Sequence, residues 1–179
     1  VDKAGNVVDQ VTSYAGMRKI HVEGNRVYLN NQPLYLRFVL DQGFYPDGVW
    51  TAPSDEALKR DIELSMSVGF NGARLHQKVF EERFHYWADK LGYLVWGEYA
   101  SWGIDLGSPI TARNFISEWR NIVVRDRNHP SIVTWTPMNE TWYPDNVQYP
   151  RLAKDLYDVT HITDPTRPVN TASGGTLIE

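Results

Sequence analysis

The feature that most constrains the fold is a regular alternation of short apolar runs with helical segments from residue 34 onward. Each apolar run has the length and composition of a strand that is buried on both faces. The strand candidates are residues 34–40, 70–75, 93–98, 131–136 and 168–172. A strand–helix repeat of this kind predicts a parallel sheet whose strands are joined by right-handed crossovers.

Helix signals separate these runs. Ser54 can cap a helix, and Asp55 and Glu56 follow it in the first turn, where the helix dipole favours negative charge. Gly69 and Gly92 are expected to end the first and second helices, because glycine adopts left-handed backbone without strain. The helical core positions are Leu58, Ile62, Met66, Phe84, Trp87, Ala88, Leu91, Phe115, Trp119, Ile122, Val123, Leu152, Leu156 and Val159.

Two α/β architectures fit this repeat, an open doubly wound sheet and part of a (β/α)8 TIM barrel. No glycine-rich phosphate loop follows any predicted strand, which disfavours the nucleotide-binding version of the open sheet. A partial TIM barrel would occupy residues 32–179 with about four and a half of its β/α units, since a whole barrel needs about 250 residues, and the pattern alone fits either architecture.

Residues 1–31 have a different pattern and predict a short β segment before the barrel. Residues 7–12 and 18–22 are short and rich in β-branched side chains, which is typical of strands. Residues 23–26 and 29–33 are turn-like. The segment is expected to be the end of a preceding β domain or a hairpin that enters the barrel. The chain begins at Val1 without a signal peptide, so we expect a longer parent protein.

Composition excludes several classes of partner. A net charge of −4 and a pI near 5.7 argue against nucleic acid and anionic membranes as partners. No apolar run approaches the roughly 20 residues that span a bilayer. Cysteine is absent, which excludes disulfides and thiolate metal sites. Aromatic residues make up 13% of the chain, and such rings line sugar pockets as well as cores.

The candidate site follows from the barrel itself, because catalytic groups of TIM barrels lie at the carboxyl ends of the strands. Carboxylates, amides and aromatic rings collect at those ends and in the loops that follow. Together they suit the hydroxyls and apolar ring faces of a carbohydrate. The candidates are Asp41, Gln42, Arg74, His76, Gln77, Glu98, Asn139 and Glu140 at the strand ends, and Trp50, Trp102, Trp142 and Tyr143 in the loops.

Glu140 is the candidate catalytic residue. Glycoside hydrolysis usually needs one carboxyl group that protonates the leaving oxygen and a second that acts as nucleophile, about 5 Å away in retaining enzymes. Glu140 directly follows the fourth strand, and Asn139 beside it could hold a sugar 2-hydroxyl as charge develops. The spacing alone is equally compatible with a solvated turn.

Residues 127–132 (RNHPSI), followed by the strand and Asn139-Glu140, resemble the acid/base segment of glycoside hydrolase family two. This family includes β-galactosidases, β-glucuronidases and β-mannosidases. The likeness continues, in the same order, at residues 13–20, 29–34, 69–74 and 88–98. Residues 13–20 resemble the stretch that joins an immunoglobulin-like domain to the barrel, so the resemblance implies that residues 1–31 are the end of such a domain and the barrel entry. It implies a TIM barrel, retention of configuration, Glu140 as acid/base and Asn139 as a substrate contact. It also implies a Glu nucleophile at the end of the seventh strand, which Glu179 does not match, so we expect this chain to lack the nucleophile.

The chain departs from the family pattern at positions where members of the family recognise the sugar. Arg37 is followed by residues 38–43 (FVLDQG), where many members have Gly-Val-Asn and then His. His76 comes one residue sooner after Arg74 than is usual. Neither galactose nor glucuronate specificity therefore transfers. The metal-binding pattern of some β-galactosidases is not evident after Glu98, so we predict no metal, and we expect no cofactor.

The remaining site residues have two interpretations each. Arg74 could contact substrate or orient a catalytic carboxylate, or it could form a buried pair with Glu98. Glu98 is expected to support the site rather than to act as a catalyst. His76 and Asp41 are candidate substrate contacts that could equally be structural, whereas His129 is predicted to be structural. Trp102 and Trp142 are the tryptophans predicted to line the pocket.

Two alternatives to a glycosidase remain open. One is a carbohydrate-binding or catalytically inactive barrel fragment, because the nucleophile is absent. The other is an open-sheet α/β protein of unrelated function. In either arrangement an open parallel sheet leaves unpaired edges, so we also expect the chain to associate with itself or with the rest of its barrel through them.

Overall fold

The computed structural model describes residues 1–141 and 148–175, with the backbone alone at residue 148. The chain enters the fold through a three-stranded antiparallel sheet with the order β1-β2-β3. Its strands are β1 (Ile20–Glu23), β2 (Arg26–Leu29) and β3 (Gln32–Leu34). The turn between β2 and β3 uses Asn30 and Asn31 at φ 51° and 64°, a conformation that asparagine tolerates better than most residues.

The predicted strand at residues 7–12 is wrong. This segment is exposed and pairs with no strand of the described chain, and a β-branched pattern forms no strand without a partner. The strand predicted at residues 18–22 begins at Ile20. The sheet continues through Leu34, beyond the boundary expected after residue 31. The division into segments 1–31 and 32–179 stays a prediction.

The predicted parallel sheet is confirmed. Its four strands run in the order β4-β5-β6-β7, and every adjacent pair is parallel. The fifth strand candidate lies beside the fourth, because β8 pairs in parallel with β9 and Trp135 forms a parallel bridge with Val169. The strands are β4 (Phe38–Asp41), β5 (Gly72–Leu75), β6 (Leu94–Glu98), β7 (Ile132–Thr136), β8 (Met138–Asn139) and β9 (Ala172–Ser173).

The crossovers are the helices α1 (Asp55–Ser67), α2 (Glu82–Leu91), α3 (Pro109–Asp126) and α4 (Gln148–Thr163). Their predicted ends are largely confirmed. Ser54 Oγ accepts a hydrogen bond from Ala57 N at 3.2 Å, and Gly92 ends α2 with φ 73°. Helix α1 ends at Ser67 with Val68 as its cap, and Gly69 follows in left-handed backbone.

The core lies between one face of the parallel sheet and the four helices. Trp119 of α3 and Trp135 of β7 are its largest fully buried side chains, and their rings meet edge to face at 5.7 Å. Burial of each such side chain contributes roughly 1.5–3 kcal/mol. Gly97 lets β6 approach this pair, because a Cβ there would lie 2.7 Å from the Trp135 ring. Because side chains alternate along a strand, the strand residues between these core positions face the side of the sheet that the helices do not cover.

The predicted first barrel strand, residues 34–40, is shorter than expected and is not buried on both faces. The run divides, with Leu34 in β3 and a new strand that begins at Phe38. Asn71 holds the bend between them, donating to Tyr35 O at 2.9 Å and accepting from Arg37 N at 2.8 Å. Strand β4 is the edge of the described sheet, so its side chains are only partly covered. Association through such edges stays a prediction.

An apolar pocket of about 280 Å³ that is partly open to solvent lies between the two sheets, lined by residues of β1 and β2 and by Trp96 and Thr134 on the open face of the parallel sheet. The antiparallel sheet therefore covers part of the face that the helices leave open. None of the helices in the described ranges is long and apolar enough to cross a membrane.

Candidate active site

The predicted strand-end residues come together at the carboxyl edge of the parallel sheet. Arg74 belongs to β5, Glu98 ends β6 and Asn139 ends β8. Strands β5 and β6 are adjacent, and β8 follows β7, the next strand of the sheet, after Pro137. Alternation turns Arg74 away from the helix side, where Ala73 and Leu75 are buried. The site is thus built on rigid elements.

Arg74 is the centre of this cluster. Its Nε donates to Glu98 Oε2 at 2.7 Å, and its Nη2 donates to Asn139 Oδ1. The Glu98 side chain is fully buried, and an isolated carboxylate in that position would be strongly unfavourable without a cationic partner. The buried pair that the sequence allowed for Arg74 is therefore present, and it also fixes the side chain of Asn139.

Glu98 supports the site from beneath. While Oε2 accepts from Arg74, Oε1 accepts the backbone N–H of Gln77 at 3.0 Å. Both oxygens are occupied by protein donors, so in this arrangement Glu98 positions its neighbours, as the sequence favoured. Direct contact of Glu98 with a substrate stays a prediction.

Gln77 is a strand-end candidate whose role is defined only by its contacts in the structure. Its backbone is left-handed at φ 55°, and its side chain is buried. The amide oxygen accepts from Ser101 N at 2.9 Å and from Trp102 N at 3.0 Å, while Nε2 donates to Ser101 Oγ at 3.1 Å. Gln77 therefore fixes the loop after β6 that carries Trp102. The only sequence signal was its position just after a predicted strand.

Asn139 is held on two sides. Its backbone N donates to Ser101 Oγ at 3.0 Å, and its Oδ1 accepts from Arg74. Its Nδ2 is buried and has no hydrogen-bond partner among the described residues. An unpaired buried donor costs about 1–3 kcal/mol, so this amide group is ready to donate to a ligand oxygen. This geometry suits the substrate contact that was predicted for Asn139, which remains a prediction.

Glu140 lies next to Asn139 but in a different environment. Its side chain is exposed, and its backbone has φ 43°, which is uncommon for a residue with a Cβ. The backbone N donates to Ser173 O at 2.8 Å, so the neighbouring strand holds this conformation in place. Strained backbone of this kind concentrates at functional sites. Its role as acid/base stays a prediction.

His76 and Trp102 form the next part of the edge. His76 is buried, with Nδ1 2.9 Å from Gln42 Nε2, and its ring meets the Trp102 ring edge to face at 5.2 Å. Trp102 is half exposed and so available to a ligand.

Asp41 turns back to its own loop, where its carboxylate accepts from Gly43 N at 2.8 Å. Burial, together with Asp61, raises the pKa of Asp41 although Gly43 N–H and Lys78 oppose this.

The predicted pocket residues Trp142 and Tyr143 fall outside the described residues. His129 belongs to the opposite end of the molecule, where its Nδ1 is 2.6 Å from Asp89 Oδ2, and Asp89 Oδ1 accepts from Ser131 N at 2.9 Å. This is the structural role that the sequence predicted for His129. Over residues 1–141 and 148–175, no group of three or more His, Asp or Glu side chains could hold a metal ion.

The parallel strands, the helices packed on one face and the polar cluster at the carboxyl edge define part of a barrel-type α/β protein with its site in the usual position for that fold. The sequence profile described as "Glycosyl hydrolases family 2, TIM barrel domain" matches residues 20–178. The chain belongs to this family. The predicted family and the predicted partial TIM barrel are thereby confirmed.

Named relatives agree with this assignment. The chain is 31% identical, over 97% of its length, to a β-galactosidase of Lactococcus lactis subsp. lactis. It is 29% identical, over 91% of its length, to a putative β-glucuronidase of Formosa agariphila. Among solved structures, it is similar to a family 2 β-galacturonidase of Eisenbergiella tayi, with a TM-score of 0.82 and 26% identity over 89% of the chain.

The chain spans only part of these proteins. It covers 17% of the L. lactis protein, 21% of the F. agariphila protein and 29% of the E. tayi chain. The activity and the substrates of the whole protein are therefore proposed and are not concluded from these relatives.

Proposed function

We propose that this chain contributes the acid/base half of the active site of a retaining β-glycosidase, with Glu140 as general acid/base. The observation that carries the proposal is the pair at the end of β8. The Asn139 Nδ2 group is buried and unpaired among the described residues, and the Glu140 side chain is exposed beside it. The second carboxyl group is proposed to come from a part of the barrel outside residues 1–179.

The roles follow from retaining chemistry. In the first step Glu140, protonated, gives its proton to the glycosidic oxygen as the bond to the anomeric carbon breaks and the nucleophilic carboxylate bonds to that carbon. In the second step Glu140, now a carboxylate, takes a proton from water as the water oxygen replaces the carboxylate. The exposed position of Glu140 suits both steps, because the leaving group departs and water arrives from the solvent side.

The other residues prepare the site. Arg74 holds the Asn139 oxygen, so Nδ2 is turned to a ligand and can donate to the sugar 2-hydroxyl, where hydrogen bonding strengthens in the transition state. Glu98 balances the charge of Arg74 and fixes its direction. Trp102 offers an apolar ring to the C–H face of a sugar.

For the substrate class, we propose β-linked sugars of the galactoside and uronide type. The support is that relatives and solved structures named as β-galactosidase, β-glucuronidase and β-galacturonidase share this part of the fold. The sequence around residues 38–43 departs from the family pattern, so the choice between a hydroxymethyl group and a carboxylate is left to measurement.

The experiment is to measure kcat/KM of the protein that carries this chain, and of its Glu140→Gln variant, with one glycone and leaving groups of different acidity. Loss of the acid should reduce cleavage of an alkyl glycoside at least about a hundredfold, but reduce cleavage of a 2,4-dinitrophenyl glycoside far less in the bond-breaking step, because that group leaves without protonation. Glu63→Gln on α1 is the matched control, since Glu63 forms an exposed pair with Lys59.

The outcomes separate the candidates. Equal loss with all leaving groups would contradict an acid role for Glu140. Binding of the sugar by the wild-type protein without any turnover would favour the alternative, a barrel that binds carbohydrate without cleaving it.

A further inference from the structure

Two large aromatic rings project from the loop between β4 and α1. Phe44 is 60% exposed and Trp50 is 51% exposed, and their ring centroids are 5.9 Å apart with 38° between the planes. Neither ring belongs to the core. Clustered exposed aromatic side chains of this kind are typical of a binding surface.

This loop is fixed by its own backbone. Tyr45 N donates to Val49 O at 2.8 Å, and Val49 N donates to Tyr45 O at 3.0 Å, which closes a small hairpin. Val49, which has left-handed backbone at φ 56°, ends the hairpin, and Trp50 is the next residue. The two rings are therefore held beside each other by the chain that connects them.

Lys78 anchors the hairpin to the barrel. Its side chain is only 8% exposed, and Nζ donates to Gly43 O at 3.1 Å and to Trp50 O at 2.7 Å. A Cβ at Gly43 would lie 2.7 Å from Nζ, so the glycine makes room for the ammonium group. A buried lysine whose hydrogen bonds go to the two carbonyls on either side of a loop has the geometry of a positioning residue.

The hairpin continues directly from the candidate active site. Gln42, one residue before Gly43, contacts His76, and His76 packs against Trp102. Phe44 and Trp50 thus lie on the same edge as the site, but they are exposed, whereas Asn139 is buried. If a terminal sugar binds at Asn139, its leaving group points outward, toward exposed groups on this edge.

We propose that Phe44 and Trp50 form a platform that binds the leaving group of a β-glycoside through the apolar face of a ring, either a second pyranose or an aromatic aglycone. This inference rests on the proposed function, because it needs Asn139 and Glu140 to define where the cleaved bond lies. The two kinds of leaving group share one chemistry, a flat or gently puckered apolar face, and the experiment tells them apart.

The test is kcat/KM for three substrates with the same glycone, namely a β-glycosyl fluoride, a 4-nitrophenyl β-glycoside and a β-linked disaccharide. The glycone is galactose or glucuronate, whichever the wild-type protein cleaves faster. In Phe44→Ala and Trp50→Ala, we expect the ring-bearing substrates to lose about tenfold more kcat/KM than the fluoride, because fluoride has no ring to stack. Tyr35→Ala is the control, since the Tyr35 ring is 80% exposed just before β4.

A larger loss for the aryl glycoside identifies an aromatic aglycone, and a larger loss for the disaccharide identifies a sugar. A second variant, Lys78→Met, keeps both rings and removes their anchor, and we expect it to show the same selectivity with a smaller loss. Equal losses for all three substrates, or losses no larger than those of Tyr35→Ala, would overturn the platform.

Failure of the proposed function gives a different result. A wild-type protein that cleaves no β-glycoside contradicts the proposed function. The platform is then tested by titration calorimetry with 4-nitrophenyl β-galactoside and 4-nitrophenyl β-glucuronide. Binding that Trp50→Ala abolishes supports a ring-binding platform, and no binding or equal binding in wild type and variant overturns it.

Discussion

The Nε atom of Arg74 lies 2.7 Å from the Oε2 atom of Glu98, and this pair joins two adjacent strands at the point where the candidate site begins. The Glu98 side chain is fully buried, while Arg74 keeps a small exposed fraction. The charge on Glu98 is therefore compensated inside the protein, and the orientation of Arg74 depends on it.

The first prediction concerns this pair. Glu98→Gln keeps the shape of the side chain and removes its charge, so it should lower the free energy of unfolding by about 3 kcal/mol, as expected for a broken buried ion pair. Activity should fall as well, because Arg74 then holds Asn139 less firmly. Urea denaturation measures the first effect. Glu63→Gln, in an exposed pair, should change stability by no more than about 0.5 kcal/mol. Similar values for the two variants would argue against an energetic role for the buried pair.

The second prediction concerns the stability and the activity of the Asn139→Asp variant. The new carboxylate still accepts from Arg74 but shares this one cation with the buried Glu98, so some stability should be lost, and the Nδ2 donor disappears. We expect kcat/KM to fall roughly a hundredfold, the usual cost of losing one donor to a developing charge. A 2-deoxy glycoside should lose a similar factor with the wild-type protein and little more with the variant. Fully additive losses would show that Asn139 and the 2-hydroxyl act independently.

The sequence predicted this part of the molecule because the strand-end rule depends on topology alone. Once four strands alternate with helices, Arg74, Glu98 and Asn139 must lie on one edge, and the structure brings them into contact. Helix ends were equally predictable from the sequence, since Ser54 caps α1 with its own side chain and Gly92 ends α2 with its own left-handed backbone.

What the sequence missed depends on contacts between distant segments. Residues 7–12 have a strand-like pattern, but whether a partner strand exists cannot be read from the segment itself. Gln77 was a strand-end candidate without a defined contact and Lys78 was not a candidate, and only the fold shows that each is buried and hydrogen-bonded to another loop. The left-handed backbone of Glu140 likewise follows from its hydrogen bond to Ser173 on a neighbouring strand.

The third prediction tests Gln77 as a positioning residue. Gln77→Leu leaves the N–H groups of Ser101 and Trp102 without their acceptor, which should cost about 2 kcal/mol in the free energy of unfolding. It should also raise KM more than it lowers kcat, because the Trp102 ring loses its fixed position. Gln77→Glu keeps the acceptor for these two N–H groups, so its KM should lie close to the wild-type value. A KM that is unchanged in Gln77→Leu would mean that the loop needs no such support.

The last prediction concerns pH and a buried histidine of α2 that lies against the end of α3. His85 is buried next to Asp126, with Nε2 3.7 Å from Oδ2, and its ring packs on that of His129. Burial lowers the pKa of His85 from 6.5 to about 4, although Asp126 and Asp89 oppose the shift and His129 and Arg125 favour it. The folded protein therefore keeps His85 neutral at pH values where the unfolded chain binds a proton. Stability due to this residue is full above about pH 6.5 and is lost as the pH falls toward 4.

Between pH 7 and pH 5 this single group should remove about 2 kcal/mol from the free energy of unfolding. His85→Asn, which has no group that titrates in this range, should lose less stability over the same interval, whatever its stability at pH 7. The difference between the two pH profiles, each from urea denaturation, isolates His85 from the carboxylates that both proteins share. Parallel profiles would mean that His85 takes up a proton in the folded state as readily as in the unfolded chain, with Asp126 as its counter-charge.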